Sequence, residues 1–481
     1  MRFYNVVGLG ACAIAVAVAT PVAAQPSSSR DPFHDVASLN ARLRALAAAH
    51  PTTARVVTIT EGERGEVLAL EVDPSGAFAV DAPSLLVQGG IHGNEWISTE
   101  VVLRLAELTV DASDPSWRGL AYRFVPAINI DGFARGSRKA NGTDGKPYDP
   151  NREFPVPGAE DHASQPLIQG LRDYVQRGKV VAVLDYHSAA ECLLWPFAYD
   201  GAQMPPDGEA IATITKTMAM SVGFCSGQVA KVISYKHQGT ASDWYQGALG
   251  ATSILMELGP VDDPGSPRVE QVLIEQERPY RLFLAWLEDR GLKARPPAPA
   301  AGCAPTTIAV GEGPLAYEAT GPVCDGLRHG AWQFRFAGGG LLREGEYVRG
   351  REHGAWHTFH PTGEPLDVGS FVDGKPDGAW KRLGTDGAVV EQRSYVAGWR
   401  DGELKRWNRD GALWQVRACT ERHLGKCATQ CKLGGRTPCE LVAARAAKPD
   451  RHAKRSPTRK VKAVKAVTKR PATKPRKRRA R

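Results

Sequence analysis

Apolar residues recur at helical spacing from Ser38, where Leu39, Leu43, Leu46 and Ala47 share one face before Pro51 ends the run. Alternating patterns then predict strands over Arg55–Thr60 and Val67–Val72. A further strand, Ser84–Gln88, leads into Gly-Gly-Ile-His-Gly-Asn-Glu and a helical pattern through Leu108. Strand, loop and helix keep alternating as far as a helix predicted over Val269–Arg290, the signature of an α/β domain. The segment Arg295-Pro-Pro-Ala-Pro-Ala-Ala-Gly302 then reads as a Pro/Ala linker, bounded at 294–302.

Beyond the linker the pattern repeats every 24 residues. Gly326, Gly350, Gly374 and Gly398 share one phase, Gly330, Gly354, Gly378 and Gly402 a second, and Gly339, Gly363, Gly387 and Gly411 a third. Trp332, Trp356 and Trp380 recur as well, with Leu404 in the fourth copy, and Tyr347, Phe371 and Tyr395 precede each turn. Each unit is thus a short β-hairpin whose aromatics stack on the next, giving a smaller all-β domain over 303–416. The stretch resembles the MORN-type repeat in its antitoxin-like variant.

Two ends of the chain differ from the rest. Arg2 precedes an apolar run from Val6 to Ala19 and a small-residue end at Pro21-Val-Ala-Ala24, so residues 1–24 read as a secretory signal peptide; the run is shorter than the ~20 residues of a spanning helix. Lipidation at Cys12 is the lesser alternative, because the apolar stretch continues past it. The net charge of +9 on 481 residues arises in the tail: residues 448–481 hold 16 Lys or Arg and one acid, which leaves −6 on residues 1–447. The tail has no aromatic residue and is predicted to be disordered, and its partner, if any, is an anionic envelope polymer or membrane surface; nucleic acid is disfavoured in an exported chain. Hydrophobic residues at 42% and charged residues at 23% exclude disorder throughout.

Nine cysteines less Cys12 leave eight, and export makes disulfides the default. Cys192 with Cys225 and Cys303 with Cys324 are the natural neighbours; the segment 417–447, with Cys419, Cys427, Cys431 and Cys439, closes a small knot or holds a structural zinc.

His92 and Glu95 stand three apart in the turn after a strand, and His187 ends a second buried strand pattern. Two histidines and a glutamate make a three-ligand zinc set that leaves one coordination position open. Around them lie Asn129-Ile-Asp-Gly132, Asp149-Pro-Asn-Arg-Glu-Phe-Pro155, Gly239-Thr-Ala-Ser-Asp-Trp244 and Met256-Glu-Leu258. In this order the motifs resemble those of the zinc metallocarboxypeptidase family, over about Asp35 to Leu287; the same ligand set in carboxypeptidase A means that the metal assignment is not independent of the resemblance. The resemblance implies a mixed central sheet flanked by helices over 25–293, one Zn²⁺ held by His92, Glu95 and His187, and Glu257 as general base. It further implies Asn151 and Arg152 as the pair that takes a terminal carboxylate, Tyr235 as the substrate-covering tyrosine, and Arg138, with Arg135 in competition, as the group that polarises the scissile carbonyl.

The departures narrow the reading. Asn94 stands where digestive enzymes carry an arginine, Glu153 replaces an asparagine, and Ser242 supports neither basic nor aromatic side-chain preference. The 92 residues from Glu95 to His187 are few, and little chain precedes the first family-like helix, so no inhibitory propeptide is expected. The expected protein is a secreted or periplasmic metallocarboxypeptidase acting on peptide or peptidoglycan-derived substrate. The alternatives are an N-acyl amino acid deacylase on the same scaffold and a non-catalytic binding protein in which the repeats act; oligomeric state is not read from the sequence.

Overall fold

The computed structural model describes residues 33–110, 117–156, 165–233, 236–259, 268–294, 302–408, 411–421 and 426–432. The predicted signal peptide, residues 295–301 of the linker, Tyr235, Cys439 and the basic tail lie outside them.

The α/β part opens with helix α1 (Val36–Ala49), whose N-cap Asp35 accepts from the Ser38 amide while the Ser38 hydroxyl bonds back to the Asp35 amide. Strands β1 (Ala54–Gly62), β2 (Gly65–Val72) and β3 (Pro83–Gln88) follow, then α2 (Trp96–Val110), β4 (Ala121–Val125) and the short α3 (Ile130–Arg135). A two-stranded ribbon of β5 (Ala140–Asn141) and β6 (Pro147–Tyr148) precedes α4 (Pro166–Gln176), β7 (Lys179–Ser188) and β8 (Cys192–Trp195). The part closes with α5 (Gly208–Val222), β9 (Cys225–Gln228), α6 (Val229–Val232), α7 (Ala241–Leu249), β10 (Thr252–Leu258), α8 (Val269–Glu275) and α9 (Glu277–Asp289). Among the described residues its main sheet has eight strands in the order β1-β2-β4-β3-β7-β10-β8-β9, parallel across β4-β3-β7-β10 and antiparallel where β1, β2 and β8 join, so it is the mixed sheet expected.

The central strands are apolar on both faces, as a sheet covered on both sides demands. Leu171 and Tyr174 of α4 and Trp244 and Tyr245 of α7 fill one face, while α1, α2, α5, α8 and α9 cover the other. The single helix expected over Val269–Arg290 is two, broken at Gln276. Pro279 accounts for the break: it has no N–H to offer the Glu275 carbonyl, and its ring crowds that oxygen.

The all-β part is an antiparallel sheet of hairpins from Cys303 to Lys432, continuing past Val416 into Leu413–Glu421 and Lys426–Lys432. At the tight turns Asp325-Gly326, Arg349-Gly350, Asp373-Gly374 and Ala397-Gly398 both central residues have positive φ, which explains the invariant glycine of this phase. Disulfides Cys192–Cys225 and Cys303–Cys324 each join directly paired strand positions. Trp332, Trp356 and Trp380 are buried, and with Tyr347, Phe371 and Tyr395 they belong to the same apolar cluster as Leu105, Met218 and Phe283 of the α/β part. The two parts therefore share one core.

Each tryptophan lies over a glycine of the preceding strand: a Cβ on Gly321, Gly345 or Gly369 would sit 2.1–2.5 Å from the nearest atom of Trp332, Trp356 or Trp380. Gly345→Ala should thus cost about 1–3 kcal/mol by overpacking, whereas Gly338→Ala, which meets open space, should be silent. Thermal unfolding of the two variants side by side checks this, and equal melting temperatures would show that the indole moves aside freely.

Candidate functional site

Parallel strands β3, β7 and β10 are neighbours; β7 and β10 end at one level and β3 three residues earlier in the register, and their carboxyl ends carry the chemistry, as in open α/β sheets generally. The turn after β3 carries His92 and Glu95. His187 is the penultimate residue of β7 and pairs in register with Glu257 of β10. The turn is tight because Gly93 lies against Gly132, where a Cβ would fall 2.1 Å from the backbone.

His92, Glu95 and His187 are all buried, and their ligand-capable atoms lie within 4.8 Å of one another. His92 Nδ1 is 2.8 Å from Glu95 Oε1, His187 Nδ1 is 3.0 Å from Glu95 Oε2, and the two Nδ1 atoms are 3.1 Å apart. The opposite ring nitrogens face carboxylates: His92 Nε2 is 3.2 Å from Asp149 Oδ1, and His187 Nε2 is 3.4 Å from Asp185 Oδ2. Two imidazoles turned inward by Nδ1 and anchored outward on carboxylates, beside a third carboxylate, are a donor set that suits zinc. Although burial disfavours its charge, Glu95 is held down to about 2 by His187 and His92. It also accepts the Ser188 amide.

Arg138 reaches this cluster, with Nη1 3.3 Å from Glu95 Oε1 and Nη2 3.2 Å from Asp149 Oδ2. Arg135 turns away, 3.8 Å from Glu63, so the geometry separates the two arginines. The Asn-Ile-Asp-Gly motif explains the placement. Asn129 caps α3 by accepting the Gly132 amide and donates its Nδ2 to the Arg138 carbonyl, while Asp131 accepts the Glu63 and Arg64 amides of the β1–β2 hairpin.

Asn151 and Arg152 sit in a 3₁₀ turn capped by Asp149. Asn151 Oδ1 accepts the Ala241 amide, which points its Nδ2 toward the site, 3.5 Å from His187 Nε2. Gly239, at φ +75°, lets the backbone pass the Arg152 carbonyl. Glu257 is half-buried at the strand end, and burial raises its carboxyl pKa, with Glu95 adding to the effect and His187 and His92 opposing it. Ser242 is buried and accepts from Ser253 Oγ at 3.2 Å. Asp243, below it, is pushed up to about 6 by burial in spite of the Ala198 amide that it accepts.

Two participants escaped the sequence reading. Asp149 was visible only as part of a motif, and Asp185 carried the signal of a buried acid two residues before His187, hence on the same face of β7.

The zinc carboxypeptidase family profile matches residues 39–272. The chain is 28% identical over 251 residues to Zinc carboxypeptidase A 1 of Anopheles gambiae, covering 45% of this chain and 57% of that protein. To Carboxypeptidase B of Astacus astacus it is 25% identical over 255 residues, covering 45% of this chain and 83% of the relative. A crystal structure of carboxypeptidase A from Helicoverpa armigera superposes with a TM-score of 0.49 at 20% identity, over 54% of this chain and 75% of that one. The chain thus spans little more than half the length of the first of these relatives. Residues 39–272 are a zinc carboxypeptidase domain, of a zinc-dependent enzyme family, and the all-β sheet lies beyond the match.

With three ligands converging, His187→Ala should leave two and lose the metal. Metal analysis of purified protein should find about one zinc per chain in the parent and almost none in the variant; full occupancy in the variant would mean that the ion is held elsewhere.

Proposed function

We propose that the protein is an exported zinc metallocarboxypeptidase that removes the C-terminal residue of peptides, cell-wall peptides among them. The observation that carries this reading is the convergence of His92, Glu95 and His187 with Glu257 in register beside them and Asn151 Nδ2 3.5 Å from His187, Arg152 following it in the same turn with Nη1 donating to the Asn151 carbonyl. Zinc bound by the three ligands would supply Lewis acidity toward a carbonyl oxygen and a water.

The remaining work falls to side chains. Arg152 offers a planar fork for the free carboxylate of a chain end, and Asn151 adds a donor already oriented by the Ala241 amide. The bond to be cut is thereby fixed as the last one. Glu257 takes the proton of the attacking water and returns it to the leaving nitrogen; its raised pKa narrows the gap to the working pH and makes that return easier. Arg138 places positive charge where the carbonyl oxygen becomes anionic, a contribution of roughly 3–4 kcal/mol by comparison with an oxyanion-hole donor. Tyr235, by resemblance, covers the bound substrate.

Residues 1–24 as a signal peptide and the two disulfides support action outside the cytoplasm. Among the described residues no helix is long and apolar enough to cross a membrane. The hairpins, read as MORN-like, form the 303–416 domain of this proposal, and the basic tail at 448–481 tethers the enzyme to an anionic envelope surface.

Glu257→Gln should retain zinc and lose turnover by roughly 10²–10⁴-fold; a near-normal turnover number would remove Glu257 from the proton transfer. A peptide and its C-terminally amidated twin should differ in kcat/KM by about 10²-fold or more, given what loss of one partner of a buried charge pair costs. Arg152→Ala should erase that difference while keeping zinc. Equal cleavage of both peptides by the parent would sink the carboxypeptidase reading, and release of free acid from N-acyl amino acids in the same assay would move the function to deacylation.

A further inference from the structure

The hairpin sheet meets the α/β part through charges that follow the 24-residue repeat. One phase holds Arg328, Glu352, Pro376 and Arg400. Three of these four pair across the junction: Arg328 with Glu277 of α9 at 3.3 Å, Glu352 with Arg278 of α9 at 2.7 Å, and Arg400 with Glu191 at 2.7 Å. The charge at one repeat position thus changes sign from copy to copy to suit what it faces. All six side chains are largely buried, so each pair is keyed to its place rather than interchangeable.

The third pair reaches the candidate active site. Glu191 follows His187 by four residues, in the bend between β7 and β8. Its amide donates to the Leu258 carbonyl, one residue past Glu257, and its carbonyl accepts the Cys225 amide. Its neighbour Cys192 pairs in register with Glu257 on β10. Burial opposes its charge, yet Arg400 and Arg393 hold its carboxyl ionised, down to about 2. The fourth repeat copy is seated on α5, where a Cβ on Gly398 would fall 2.5 Å from the Met220 carbonyl and one on Gly223 would fall 2.5 Å from the Tyr395 ring.

We infer that Arg400 of the hairpin sheet is a positioning residue for the zinc-peptidase site: through Glu191 it holds the bend 188–192 and, with it, the relative placement of His187 and Glu257. The sheet is on this view a working part of the enzyme and not a tethered accessory. The inference rests on the carboxypeptidase reading only for its kinetic readout.

The test compares Arg400→Met with Arg278→Met, which breaks a junction pair of similar burial on α9 against Glu352 and Phe371. Arg400→Met should keep zinc and a KM within about twofold while kcat falls about 10–100-fold, the order of loss that a misplacement of about 1 Å at the reacting groups brings. Arg278→Met should lower the melting temperature with kcat unchanged. Amide hydrogen exchange over residues 188–192 should quicken in Arg400→Met alone, a readout that needs no substrate. Unchanged kcat and unchanged exchange in Arg400→Met, or an equal kcat loss in both variants, would overturn the inference. Should Arg400→Met fail to fold, Glu191→Gln, which keeps a hydrogen bond without the charge, carries the same comparison. If the parent cleaves no peptide, the carboxypeptidase reading fails by itself, and the exchange result still decides the role of Arg400.

Discussion

Holding two imidazoles and a carboxylate within 4.8 Å of one another in a buried place is the constraint on which this molecule is organised. A ring that turns Nδ1 inward must satisfy Nε2 elsewhere, and a carboxylate partner fixes both the tautomer and the ring plane. Asp149 serves His92 and Asp185 serves His187. Asp185 is itself fully buried, so its second oxygen needs a donor too; Gln88 Nε2 supplies one at 2.8 Å, and Gln88 Oε1 in turn accepts the Tyr245 hydroxyl at 2.6 Å. The chain of polar groups therefore runs from α7 through β3 to β7 before reaching the ligand. A shift of β3 against β7 by one residue would break it and would turn every side chain of the shifted strand to the wrong face. The requirement for a satisfied ligand set and the register of the central sheet are one requirement.

The hairpin sheet obeys a different rule, set by volume. An indole can lie flat on the neighbouring strand only where that strand has no Cβ, so tryptophan and glycine are linked eleven residues apart at Gly321–Trp332, Gly345–Trp356 and Gly369–Trp380. In the fourth copy both members change together: Arg393 stands in the glycine phase and Leu404 in the tryptophan phase. Arg393 instead reaches Glu391 at 3.4 Å and lies over the Tyr395 ring. Packing gives way to charge where the array comes closest to the bend that follows His187.

How much of this was legible from the sequence depended on how local each cause is. The ligand motif, the turn glycines and the 24-residue period are written in short stretches, and the structure has them where the pattern put them. Asp185 was not legible because its role depends on a ring two residues away and on Gln88, 97 positions earlier. The broken helix at Gln276 was misread because apolar spacing continues through Pro279 and hides the missing N–H. The junction was invisible for a third reason. The period showed glycines and aromatics but concealed the positions that differ between copies, and those are the positions that meet the α/β part.

Those differing positions also decide what the hairpin array can do. The charged phases at 328, 352 and 400 and at 343, 367 and 391 face inward with the aromatics; Arg328, Glu352, Asp367 and Arg400 pair with Glu277, Arg278, Arg268 and Glu191 of the other part, while Arg343 and Glu391 pair within the sheet. Arg278 and Arg104 additionally cover the rings of Phe371 and Tyr317. Pulling the sheet away would expose a row of tryptophans to water and separate the ion pairs that the junction holds together. A module that bound its ligand through this face would have to meet that cost first. The residues free to meet anything else are therefore those on the opposite face and at the hairpin tips, where Leu327, Val348, Val372 and Val396 stand exposed, the three valines at one phase of the repeat.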